Sequence, residues 1–86
     1  MPEICVFFGI RITMNFSDHY PPHFYVTFAE NKAMIDILNG CVLKGYLPPK
    51  QLKLVLAWAA LHEDELMQNW ELARSDKPIN KIAPIT

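Results

Sequence analysis

The chain is poor in the residues that hold small proteins together covalently. It has two cysteines in eighty-six residues, Cys5 and Cys41. Two thiols cannot make a disulfide framework, so a reduced, cytoplasmic chain is expected. It also lacks any apolar run near the ~18 residues of a membrane span. Met1-Pro2-Glu3 puts no basic region ahead of the short apolar run 4–8, so no secretory signal is expected. Charge of one sign is missing as well. Eight Lys and Arg stand against nine Asp and Glu, a formal net charge of −1. That disfavours a domain that coats RNA, which relies on cationic contacts. Charged residues are 20% and apolar residues 51% of the chain, a balance that excludes disorder. No internal repeat is visible. A chain this short forms one domain with one modest core.

The chain reads as an α+β domain over residues 1–86: a β-meander over 1–47, a helix over 48–75 and an extended tail over 76–86. Residues 4–8 form an apolar, β-rich run closed by Gly9. Residues 10–16 alternate, with Ile10, Ile12, Met14 and Phe16 on one face and Arg11, Thr13 and Asn15 on the other. Pro21 and Pro22 stop any strand, because each removes a ladder donor. Residues 23–28 alternate again, with Phe24, Val26 and Phe28 facing one way and His23, Tyr25 and Thr27 the other. Residues 32–38 put Ala33, Ile35 and Ile37 inward. Asn39-Gly40 suits a two-residue type I′ turn, which would pair Leu38 with Cys41 and Asp36 with Leu43. The expected sheet is a mostly antiparallel meander of about four to five strands.

After Pro48-Pro49 the period changes to that of a helix. Nothing visibly interrupts it from Lys50 to Arg74, which predicts one long C-terminal helix packed on the sheet. Leu52, Val55, Leu56, Ala59, Leu66, Met67, Trp70 and Ala73 form its core stripe, with Glu63 at the edge. Leu54, Trp58, Leu61 and Leu72 form a second stripe. One sheet can bury only the first, so the second is a candidate interface for a homo-oligomer or a small protein partner. The competing cover is the tail, with Ile79, Ile82 and Ile85 at spacing three.

Matching the apolar faces of strands 10–16 and 23–28 sets Asn15 opposite His23, Thr13 opposite Tyr25 and Arg11 opposite Thr27. One face then carries Arg11, His23 and Tyr25, with Asp18 and His19 at its rim. An imidazole can move protons near neutral pH, an arginine can hold a phosphate, and a tyrosine can stack on a base. If the face is catalytic, His23 is the expected centre, assisted by Arg11 and Tyr25 in a ribonuclease-like role. The plainer account is a solvated sheet face. Asp18, His19 and His23 offer the donor types of a metal site. Convergence is not implied by their spacing, so no metal or cofactor is assigned.

The segment Asp18-His19-Tyr20-Pro21-Pro22-His23-Phe24-Tyr25-Val26 resembles the Asp-His-x-Pro-Pro-His-Phe-His-Val signature of a small bacterial family catalogued as domain of unknown function 4160. The resemblance extends through Phe8-Gly9-Ile10, Lys32-Ala33, Gly45-x-Leu47-Pro48 and Asn69-Trp70-Glu71-Leu72-Ala73-Arg74. The turn motif Asp18, His19, Pro21 and Pro22 follows the signature, and Tyr25 replaces its last histidine. The resemblance implies a protein often encoded beside another small domain, one half of a toxin–antitoxin-like pair. It implies no reaction. The expectation is therefore an interaction module, with the ribonuclease-like enzyme and the metal-binding domain as alternatives.

Overall fold

The computed structural model describes residues 2–85. Five strands, β1 (Glu3–Phe7), β2 (Ile10–Thr13), β3 (His23–Phe28), β4 (Asn31–Asp36) and β5 (Val42–Gly45), are followed by two helices, α1 (Pro49–Leu61) and α2 (Glu63–Arg74). The strands lie in sequence order and every pairing is antiparallel. This is an α+β meander of five strands with two helices.

The alternation of the sequence sets the two faces. Ile10, Ile12, Phe24, Val26, Ala33 and Ile35 are buried on one side, while Arg11 and Lys32 are exposed on the other. Register follows the same logic: Arg11 lies opposite Thr27 and Thr13 opposite Tyr25. Strand β2 ends at Thr13, so Asn15 never reaches the ladder position opposite His23. At the β1–β2 turn, Phe8 and Gly9 both have positive φ, 49° and 75°, the backbone sign that a two-residue type I′ connection requires.

The expected Asn39-Gly40 hairpin is not formed. The Asp36 N–H donates to Cys41 O at 2.9 Å and the Gly40 N–H to Asp36 O at 3.0 Å. The Asp36 carboxylate accepts from the backbone N–H groups of Leu38 (2.9 Å) and Asn39 (3.0 Å) and from the Asn39 amide. An aspartate that bonds the backbone two and three residues ahead competes with the ladder. The connection becomes a loop over 37–41, Cys41 falls outside β5, and a bulge follows between Met34 and Ile35. Gly45 ends β5 with φ 85°, where a Cβ would sit 2.1 Å from Lys32 O, so only glycine fits.

The single long helix is likewise corrected to two. His62, at φ −120° and ψ 26°, leaves the helical region between α1 and α2. Glu63, Asp64 and Glu65 form the first turn of α2, where carboxylates are favoured by the positive end of the helix dipole. Glu63 is exposed rather than at the edge of the core, and Leu56 is half-buried. Each helix presents its own short stripe: Val55, Trp58 and Ala59 from α1, then Leu66, Asn69, Trp70 and Ala73 from α2.

Trp58 belongs to the core, fully buried, with its ring against Phe7 and Phe24. The segment after α2, which has no helix or strand, lies over it. Trp58 Nε1 donates to Ala83 O at 2.8 Å, and the Ile82 N–H donates to Ile4 O at 3.2 Å. Asn69 grips the same segment with both ends of its amide. Its Nδ2 donates to Asn80 O and its Oδ1 accepts from the Asn80 N–H, each at 2.8 Å. Truncating Asn69 to alanine would remove both partly buried hydrogen bonds that hold the Asn80 backbone. The expected cost is about 2–3 kcal/mol in urea unfolding, with faster hydrogen exchange at the Ile82 N–H.

Candidate functional site

The signature segment folds into a turn between β2 and β3 that is pinned on three sides. The Ser17 N–H donates to Ala73 O at 3.0 Å, and its hydroxyl donates to Asp76. Pro22 O accepts the Ile37 N–H at 3.0 Å. Tyr20 lies across the open side, with its ring 5.8 Å from that of Trp70 and the Arg74 guanidinium stacked 4.4 Å above it. The Tyr20–Pro21 peptide bond is cis.

Inside the turn, Asp18 gathers the polar groups. Its Oδ1 accepts the His19 N–H at 2.9 Å. Its Oδ2 faces His23 Nε2 at 2.9 Å and accepts the Tyr25 hydroxyl at 3.1 Å. The other ring nitrogen of His23, Nδ1, lies 2.7 Å from Pro21 O. Each ring nitrogen of His23 thus faces an oxygen, Pro21 O on one side and Asp18 Oδ2 on the other. The ring is 4% exposed and packs 5.1 Å from Trp70 and edge-on to Tyr25. Asp36, opposite His23 across β3 and β4, supplies a second carboxylate.

The titrating groups bear the mark of this cluster. Burial works to raise the Asp18 carboxyl, but the His19 N–H, His23 and the Tyr25 hydroxyl outweigh it and hold the group below its ordinary 3.8. Burial likewise opposes ionisation of Asp36, yet Asn39, the Leu38 N–H and the charge of His23 hold it down too. Burial and the neighbouring Asp18 push the Tyr25 phenol above its ordinary 10.0.

The structure brings together Asp18, His23 and Tyr25, and separates the others. Arg11 lies opposite Thr27, about 13 Å along the sheet from His23 at ~3.3 Å per residue, and is paired with Glu3 at 3.2 Å. His19 is exposed at the rim. Among the described residues, no three His, Cys, Asp or Glu side chains converge as metal ligands. Pro21 and Pro22 shape the turn, and Pro22 is buried. The stripe of Leu54, Trp58, Leu61 and Leu72 does not survive as a continuous exposed patch. Trp58 is inside, Leu54 and Leu72 are half-buried, and only Leu61 stands out, at 75% exposure. His62 rests on Trp58, with Nδ1 on Glu65.

Two residues absent from the expected site lie beside Tyr25. Lys32 sits 5.2 Å above its ring. Lys44 lies opposite Met34, which itself lies opposite Tyr25. The signal was the outward position of Lys32 in β4. Lys44 could not be placed, because the bulge between Met34 and Ile35 shifts β5.

Two expected outcomes test the cluster. His23→Ala should lower unfolding free energy by about 2–3 kcal/mol, less than for a fully buried pair because Asp18 stays partly in water. Asp18 and Asp36 titrate lower folded than unfolded. The stability they contribute is therefore complete above 3.8 and is lost as pH falls through their folded values. Urea midpoints measured from about pH 5 down to about pH 2 should fall for the native chain and flatten for Asp18→Asn.

A family model described as Domain of unknown function (DUF4160) matches residues 9–71. No curated protein and no solved structure gives a significant match.

Proposed function

Because this chain belongs to that family, DUF4160, whose description names no activity, we propose from its geometry that it is an interaction module, one half of a two-protein pair of toxin–antitoxin type. The observation that carries this reading is the open part of the outer sheet face, around Tyr25, Thr27, Lys32 and Met34. Trp58 and the C-terminal segment pack on the inner face, while the signature turn and Trp70 cover only the end at His23. A two-layer domain of this size leaves one sheet face to solvent or to a partner.

The chemistry of the cluster supports binding over catalysis. A general base needs a free lone pair within reach of substrate. His23 has both nitrogens engaged and its ring shielded. Arg11, the residue suited to phosphate, is held by Glu3. The ribonuclease-like reading keeps one point in its favour, the cations Lys32 and Lys44 on the same face as Tyr25. No helix among the described residues is long and apolar enough to cross a membrane.

Co-expression with the product of the neighbouring reading frame tests the pairing. A tagged copy of this chain should retain that product through size exclusion as one complex. Growth arrest caused by this chain alone should be relieved by the same co-expression. Arrest that disappears in His23→Phe while the complex persists would reverse the reading in favour of an enzyme.

A further inference from the structure

The outer face is not flat. Two adjoining hollows, of about 490 and 210 Å³, run from the signature turn toward the end of β5 and share Tyr25, Met34 and Lys44 as common walls. The floor is apolar: Met34 is half-buried and Leu43 is exposed at 37%. Lys32 and Lys44 stand on either side of it, and His19 closes the turn end. Among the described residues neither lysine has a carboxylate within 4.0 Å. The one carboxylate in the walls, Asp18, is already engaged by His23, Tyr25 and the His19 N–H. The groove is thus a strip of apolar surface flanked by cations with no internal counter-charge.

The sheet edges offer less. Strand β5 is four residues long, carries Lys44, ends at Gly45 and pairs through a bulge. Those are features that blunt an edge against strand addition. Strand β1 is met by Ile82 and by Lys81, which bonds Glu3. A docking partner therefore meets the face rather than an edge.

We propose that this groove takes an acidic segment of the protein partner, with an apolar side chain seated over Met34 and carboxylates on Lys32 and Lys44. The proposal rests on the partner reading above and gives that partner its chemistry. Charge complementarity selects the occupant, since opposite potentials steer docking and fix its register. Single-stranded RNA fits less well. It needs a track of cations and free aromatic faces; of the two tyrosines lining the hollows, Tyr25 is tied to Asp18 and overlaid by Lys32, and Tyr20 is already packed on Trp70 and Arg74. A second copy is disfavoured by geometry. The chain's own acidic run, 63–65 beside exposed Leu61, is on the helical layer, so copy-to-copy docking would be head-to-tail, a ring or filament contact rather than a two-fold pair.

The test uses the full chain and three labelled ligands: a short peptide alternating glutamate with leucine, its lysine-for-glutamate counterpart, and oligouridylate RNA. Fluorescence anisotropy should show the glutamate peptide bound at least about tenfold tighter than the lysine peptide, weakening as salt is raised. Lys32→Glu and Lys44→Glu should each weaken it by about tenfold or more, whereas Lys53→Glu on α1 should change it less than about twofold. Melting curves establish that each variant is folded. Equal affinity for both peptides, or full affinity in the Lys32 and Lys44 variants, overturns the proposal. So does tighter RNA binding that depends on those lysines, or self-association abolished by Leu61→Glu. The two readings fail separately. A neighbouring product that co-purifies regardless of Lys32 and Lys44 removes the groove and leaves the pairing. Peptide binding without any co-purification removes the pairing and leaves the groove.

Discussion

The contact between Asp18 and His23 is the constraint on which the rest of the molecule leans. It closes a turn that two prolines make stiff, and it does so with a histidine almost wholly removed from water. A buried polar ring is tolerated only when its hydrogen-bonding groups are satisfied, and here they are: Pro21 O on one nitrogen and Asp18 on the other. Because the ring also packs on Trp70, the pair ties the sheet to α2. The Ser17 N–H on Ala73 O and Ser17 Oγ on Asp76 repeat that tie one turn along. A signature that contains aspartate, two prolines and histidine in this order is thus accounted for as architecture.

The break at His62 follows from the same packing. Trp58 must lie against Phe7 and Phe24 near β1, while Trp70 must reach the signature turn at the far end of the hairpin. A small change of direction between the helices lets each tryptophan meet its own neighbours. The cost at the junction is limited, since the His62 N–H still bonds Trp58 O and Ala59 O, and His62 O still accepts the Leu66 N–H. The segment after α2 then fills the space beside α1, anchored by Asn69 and Trp58. Trp58 thus takes the rings of Phe7 and Phe24, and Trp70 those of His23 and Tyr20.

Much of this was legible from residue order. Period-two alternation set the inward residues Ile12, Phe24, Val26 and Ile35, and the need to match apolar faces set the register of Thr13 with Tyr25. What was illegible has identifiable causes. Asp36 captured the backbone of the following loop, which no propensity for Asn-Gly turns anticipates. Glu63 fits the edge of a continuous core stripe, although with Asp64 and Glu65 it equally suits the start of a helix. The stripe that holds Trp58 admits two covers, a partner or the tail, and residue order does not choose between them; the carbonyl of Ala83, twenty-five positions away, does. The site was legible in its members His23, Tyr25 and Asp18. Its use is not legible there, because sequence places side chains on a face but does not say whether their polar atoms are already engaged.

Net charge shows the same difference between a chain and its surfaces. A value of −1 argues against anionic ligands only if charge is spread evenly, and here it is not. Asp18 and Asp36 are consumed by His23 and by the loop that Asp36 caps. Glu63, Asp64 and Glu65 stand on the helical layer. Glu3 is taken by Arg11 and Lys81. Glu71 lies by Arg74 and Asp76 accepts the Ser17 hydroxyl. Of the nine acidic residues that leaves Glu30, exposed in the turn two residues before Lys32 and not within 4.0 Å of either lysine, so the middle of the outer sheet face carries Lys32 and Lys44 against one peripheral carboxylate. Within a Debye length of ~8–10 Å, an approaching ligand experiences that local balance rather than the total. A net charge of −1 is therefore compatible with a locally cationic face, and folding is what separates the charges.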